Sequence, residues 1–101
     1  MKMRDYELTQ RAVDDIASAR DWYEMQRAEL GNRFLRSVVK AIGEARAHPV
    51  RFPEMYLGVR AVGCKGFPYR VYYEPHPDRI VVRAVYHTAR DPKSWDDPAR
   101  E

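Results

Sequence analysis

The residues able to do chemistry gather in the last third of the chain. Gly66-Phe67-Pro68-Tyr69-Arg70-Val71-Tyr72-Tyr73 is followed, past a proline-rich turn, by Arg79-Ile80-Val81-Val82-Arg83-Ala84-Val85-Tyr86-His87, and then by Arg90-Asp91-Pro92-Lys93. Arginine presents a rigid fork of donors that matches phosphate and carboxylate oxygens. Two β-rich runs and a tail that carry it describe a surface for an anion. Between Gly58 and Lys93, seven basic residues (Arg60, Lys65, Arg70, Arg79, Arg83, Arg90, Lys93) stand against three acidic ones (Glu74, Asp78, Asp91), for a net +4. The first fifty residues balance nine basic against eight acidic. Such a local excess points to nucleic acid or to an acidic polypeptide, while composition alone favours an ordinary solvated surface. The question is whether these arginines hold a nucleic acid or grip a protein.

Other chemistries find less support. A single cysteine, Cys64, excludes an intrachain disulfide and makes no thiolate metal site by itself. A nucleophilic role would need a base such as His87 on an adjacent strand, and lone cysteines usually behave as small buried hydrophobes. His48, His76 and His87 show no ligand spacing. No metal or other cofactor is expected.

The elements that must position these residues follow from periodicity. Arg4 to Leu8 reads as a short strand with Tyr6 and Leu8 on one face, and Thr9 is a suitable N-cap for the helix that follows. In that helix Ala12, Ile16, Ala19 and Tyr23 form one apolar stripe, with Asp14, Asp15 and Asp21 facing elsewhere. Leu30-Gly31-Asn32 interrupts it. A second stripe runs through Phe34, Leu35, Val38, Val39, Ile42 and Ala45 until His48-Pro49 stops it, and so short a link makes the two helices an antiparallel hairpin. Pro49 to Leu57 reads as a loop, Val59 to Cys64 as a strand, and Tyr69 to Glu74 as the next. Pro75-His76-Pro77-Asp78 is a turn, and Arg79 to His87 returns antiparallel. Strict alternation along that last strand puts Ile80, Val82, Ala84 and Tyr86 on a core face, and Val81, Arg83, Val85 and His87 on the other. Trp22, Met25, Tyr56 and Leu57 are read as core more than interface. The helices should cover one sheet face and leave the other as the working surface.

At 101 residues, with 45% hydrophobic and 33% charged residues, the chain has the size and composition of one folded domain over residues 1–101. Its apolar runs are too short to span a bilayer. The N-terminus lacks the apolar core and cleavage site of a signal peptide, and a cytoplasmic location is expected.

The order of these elements, the Leu30-Gly31-Asn32-Arg33-Phe34 hairpin, the His48-Pro49 stop, the Phe67 to Tyr73 strand and the ending His87-Thr88-Ala89-Arg90-Asp91-Pro92-Lys93-Ser94-Trp95 together resemble the RelE/ParE superfamily, the toxins of type II toxin-antitoxin pairs of the plasmid-stabilisation kind. The resemblance covers nearly the whole chain. It implies an α+β fold with an N-terminal strand and an α-helical hairpin packed on a small antiparallel β-sheet. It also implies a partner, an acidic antitoxin that folds on binding across hairpin and sheet. It leaves the target open between DNA gyrase, for ParE-like members, and ribosome-bound mRNA, for RelE-like endonucleases.

Cleaving RNA through its own 2′-hydroxyl requires a base, cations at the phosphate and an acid for the leaving oxygen. By the resemblance Arg70 and Arg90 match the two phosphate-holding arginines. The family's C-terminal tyrosine falls near Trp95, which has no useful acid-base equilibrium, and its paired lysines fall in Val59 to Cys64, where only Arg60 and the nearby Lys65 are basic. His87 is the available substitute as acid-base group. Tyr86 is another, assigned to the core face by alternation. A gyrase inhibitor needs a complementary surface and no catalytic acid, and the ParE-like reading is preferred for that reason. Its contact surface would comprise Arg60, Lys65, Arg70, Arg83, Arg90 and Lys93. The alternatives are the endonuclease, with Arg70, Arg90 and His87 as its catalytic group, and a binding module without toxicity.

Overall fold

The computed structural model describes residues 4–89. Strand β1 (Asp5–Leu8) leads into helices α1 (Gln10–Gln26) and α2 (Leu30–Ala47), and four further strands follow: β2 (Glu54–Tyr56), β3 (Val59–Gly63), β4 (Tyr69–Pro75) and β5 (Arg79–His87). Thr9 starts α1 as its spacing predicts. Its backbone is extended and its hydroxyl accepts the Ala12 N–H at 3.1 Å, which satisfies one of the donors a helix start leaves without a partner.

The hairpin is closed by one carboxylate and one glycine. Glu24, near the end of α1, accepts the main-chain N–H groups of Glu29 and Gly31 at 3.0 and 2.9 Å, so it caps α2 from outside that helix. These two bonds hold its carboxyl below the usual carboxylate range. At Gly31 a Cβ would lie 2.8 Å from the Arg20 carbonyl oxygen, and only glycine lets the helices approach so closely.

Both apolar stripes face the sheet. Ala12 and Ala19 of α1 and Phe34, Val38, Ala41, Ile42 and Ala45 of α2 are buried against Val62, Cys64, Val71, Tyr73, Ile80, Val82 and Val85, with Ile16 and Tyr23 packed beside them. Each such Val, Ile or Phe contributes about 1.5–3 kcal/mol by leaving water. Two stripe assignments are corrected. Val39 is 67% exposed, because the helical period that buries Phe34, Val38, Ile42 and Ala45 turns it away. Leu35 is half-buried.

The sheet has five strands in the order β1-β5-β4-β3-β2. The three long C-terminal strands are consecutive and antiparallel, as read from the sequence. Strand β1 pairs with β5 in parallel, which makes the sheet mixed, and Glu54–Tyr56, within the predicted loop, adds β2 at the far edge.

A bulge in β5 changes the face assignments. Tyr72 stands opposite Ala84 and Tyr73 opposite Val82, so Arg83 is an extra residue without a counterpart on β4. Alternation therefore restarts after it. Ile80 and Val82 face the helices, but beyond the bulge Val85 does so, while Ala84 and Tyr86 join Val59, Ala61 and Tyr72 in a second buried cluster on the opposite face. The predicted grouping of Ile80, Val82, Ala84 and Tyr86 on one face is thus corrected. The face away from the helices is also more apolar than a plain polar working surface.

Candidate functional site

The site is built where β1 ends. Strand β1 covers β5 only as far as the pair Leu8 and Val82, and past that point the start of α1 takes over the hydrogen bonds of the β5 edge. The Thr9 N–H donates to the Val82 carbonyl at 3.1 Å, the Thr9 hydroxyl donates to the Arg83 carbonyl at 3.0 Å, and the Val85 N–H donates to the Asp15 carboxylate at 3.0 Å. The bulge lies at this handover. It turns Tyr86 onto the face away from the helices, beside its register partner Arg70.

There Tyr86 meets Arg11, from the first turn of α1. The Arg11 guanidinium donates to the phenol oxygen and its carbon lies 5.2 Å from the ring centroid. The centroid of the Tyr72 ring lies 5.8 Å from that of Tyr86. Tyr86 is therefore a buried phenol held by a cation, and Arg11 was not among the residues singled out from the sequence. Arg70 is half-buried on the same face, and its register partner on β3 is Gly63. A Cβ at Gly63 would meet nothing within 4 Å, which leaves room along one flank of Arg70.

The other basic residues go to different places. Arg83 donates to the Glu74 carboxylate at 3.0 Å, and Glu74 also lies 3.5 Å from the His76 imidazole. Arg79 is paired with Glu7 and Asp78. Arg60 lies on the helix side of β3, opposite Tyr73, and donates to the carbonyls of Val50 at 3.2 Å and Phe52 at 2.7 Å. Burial pushes the Tyr73 phenol up to about 12, against the opposing pull of Arg60, so Tyr73 stays protonated and donates to the Pro49 carbonyl at 2.8 Å. Lys65 lies in the turn after β3, on a cleft lined also by Ser37, Lys40, Glu44 and Gly63. Arg90 and Lys93, with Trp95, lie outside the described residues.

His87 stands apart from Arg70. Beyond the bulge it shares the helix side with Tyr69, its register partner, and the two rings are 5.4 Å apart. Its Nδ1 accepts the Ala89 N–H at 3.0 Å. The structure thus brings Arg70 and Arg83 to one face and places Arg60 and His87 on the other. Cys64 is buried, and desolvation pushes its thiol up to about 12, which fits the expected packing role.

Beside His87 a cleft of about 330 Å³ opens between α1 and β5, lined by Asp15, Ser18, Ala19, Trp22, Tyr69, Val85 and His87. The large apolar residues read as core behave differently here. Trp22 is 57% exposed at the cleft, Met25 is 84% exposed one turn further on and Leu57 is 78% exposed, while Tyr56 packs half-buried against the second cluster. The sequence signal for Trp22 was available in its spacing. It follows Asp15 and Ser18 by seven and four residues, off the stripe that ends at Tyr23.

A hairpin laid on this mixed sheet is an arrangement found in solved toxin-antitoxin systems. The fold is similar to a chain of the chromosomal ParDE toxin-antitoxin system from P. aeruginosa, with a TM-score of 0.74 at 16% identity over 84% of this chain and 96% of that one. It is also similar to a chain of the toxin-antitoxin complex RelBE2 from Mycobacterium tuberculosis, with a TM-score of 0.62 at 22% identity over 89% of this chain and 97% of that one. No curated protein matches the sequence. The profile of the family described as "ParE toxin of type II toxin-antitoxin system, parDE" matches residues 6–92. The chain belongs to that family.

Proposed function

We propose that this toxin acts as ParE-like members do, arresting growth by binding DNA gyrase, and that an acidic cognate antitoxin neutralises it in the cytoplasm. The carrying observation is where the two acid-base candidates, Tyr86 and His87, lie relative to Arg70. The Tyr86 phenol is buried under Arg11. His87 lies across the sheet from Arg70. Acid-base catalysis requires its groups within hydrogen-bond reach of one reacting phosphate. A contact surface makes no such demand. Arg70, half-buried beside the open flank of Gly63, suits an anionic group of a protein target, and Lys65, Arg90 and Lys93 extend the basic surface in sequence.

The test is a supercoiling assay with purified toxin and gyrase. The expected result is loss of supercoiling with accumulation of cleaved DNA, weakened for Arg70→Ala. Unimpaired supercoiling, together with cleavage of mRNA on translating ribosomes by the same preparation, would overturn the proposal in favour of the endonuclease. Neither effect would leave a binding module on a toxin fold.

A further inference from the structure

We propose that the cleft between α1 and β5 is the seat of a basic side chain, an arginine of the polypeptide partner, which deepens the reading above that this protein works through protein partners. The cleft carries the two features that recognise an organic cation. Three aromatic residues, Trp22, Tyr69 and His87, line it together with the Asp15 carboxylate and the Ser18 hydroxyl, and Ala19 and Val85 supply apolar wall. A guanidinium is attracted to aromatic rings and to a carboxylate, while its aliphatic stem packs on apolar surface. His87 contributes its ring, whose Nδ1 accepts the Ala89 N–H.

Charge complementarity selects the cation over an apolar anchor. On a chain of net charge +3, helix α1 carries Arg11 and Arg20 against Asp14, Asp15, Asp21 and Glu24, a net charge of −2. Asp15 is turned to the cleft side of that helix by its bond from the Val85 N–H. Arg11 forms an i,i+4 ion pair with it at 3.9 Å, and the same guanidinium donates to Tyr86. A carboxylate accepts several donors at once, so a second guanidinium can join at Asp15 without displacing the Val85 bond. A partner laid across this molecule would then place acidic groups toward the sheet segment and an arginine toward α1. That sets its direction.

The experiment uses the full ¹⁵N-labelled chain at about pH 7.5, where an ordinary histidine is mostly neutral, titrated with the blocked tripeptide Ac-Ala-Arg-Ala-NH₂. The peptides with citrulline, uncharged and of the same shape, or with norleucine in the central place are the controls. Saturable shifts are expected at the Trp22 indole N–H and at the Val85 and His87 amides, with both controls binding about fivefold more weakly. Asp15→Asn, which retains an oxygen for the Val85 N–H, should weaken the arginine peptide by about the same factor while the Val85 amide stays protected from exchange. Trp22→Leu should weaken it as well. Equal binding of the norleucine peptide, arginine binding indifferent to Asp15→Asn, or the absence of saturable shifts would each overturn the proposal. Gyrase inhibition is read separately, so its failure with the cleft intact would count against the target alone.

Discussion

The main-chain N–H of Val85 donates to the Asp15 carboxylate at 3.0 Å, so a helix side chain completes the edge of a strand that has run past its neighbour. An uncovered strand edge is a template for unwanted pairing. Here Thr9 and Asp15 close it in sequence. Removing the acceptor leaves a buried donor unsatisfied, at a cost of about 1–3 kcal/mol. Asp15→Ala should lower the urea midpoint accordingly without changing the slope, and Asp15→Asn should recover part of the loss. An unchanged midpoint for Asp15→Ala would show that the bond contributes nothing.

Gly31→Ala tests the closeness of the helices. Alanine gains about 1 kcal/mol in helix propensity over glycine, yet its methyl would lie 2.8 Å from the Arg20 carbonyl oxygen, and such overpacking costs about 1–3 kcal/mol. Net destabilisation in a thermal melt is expected. A more stable variant would mean that the hairpin opens at little cost.

Glu24 gives the hairpin a pH dependence. The N–H groups of Glu29 and Gly31 hold its carboxyl below the ordinary value of a glutamate. A carboxyl depressed in the folded state stabilises fully above its unfolded pKa and loses that contribution as pH falls through the folded value. The stability difference between the parent chain and Glu24→Gln should therefore be constant from about pH 6 to 8 and shrink below about pH 4.5. A difference that persists unchanged in acid would remove this cap from the account.

Cys64 should be inert in the folded chain. With the thiol pushed up to about 12 by burial, its thiolate fraction at about pH 8 falls on the order of a thousandfold below that of an ordinary cysteine. Reaction with a disulfide reagent should be slow in buffer and rapid in denaturant. Fast reaction in buffer would contradict the packing role.

Much of this fold is legible in the sequence because helical periodicity is local. Ala12, Ile16, Ala19 and Tyr23 define the buried side of α1, and Thr9 starts it. Pairing between distant segments is not local. Nothing in Asp5 to Leu8 announces a parallel partner at Arg79 to Val82. The bulge at Arg83 meets Thr9 from a distant segment, and a period of two read through it reverses the sides of Val85, Tyr86 and His87. Hence strict alternation assigns Tyr86 to the helix-covered core, whereas it lies beside Arg70 on the other face, and groups His87 with Arg83, from which the sheet divides it. Arg11 was invisible for the same reason. Its partner is a strand residue at a sequence separation of 75.

The most direct test of the central claim is induction of this chain alone in a bacterial host, with DNA and RNA cleavage followed in one culture. Gyrase-linked DNA breaks with mRNA intact are the predicted result, and Arg70→Ala should reduce them while the protein stays folded. Cuts within translated codons, appearing before any DNA damage, would contradict the account and assign the fold to an endonuclease.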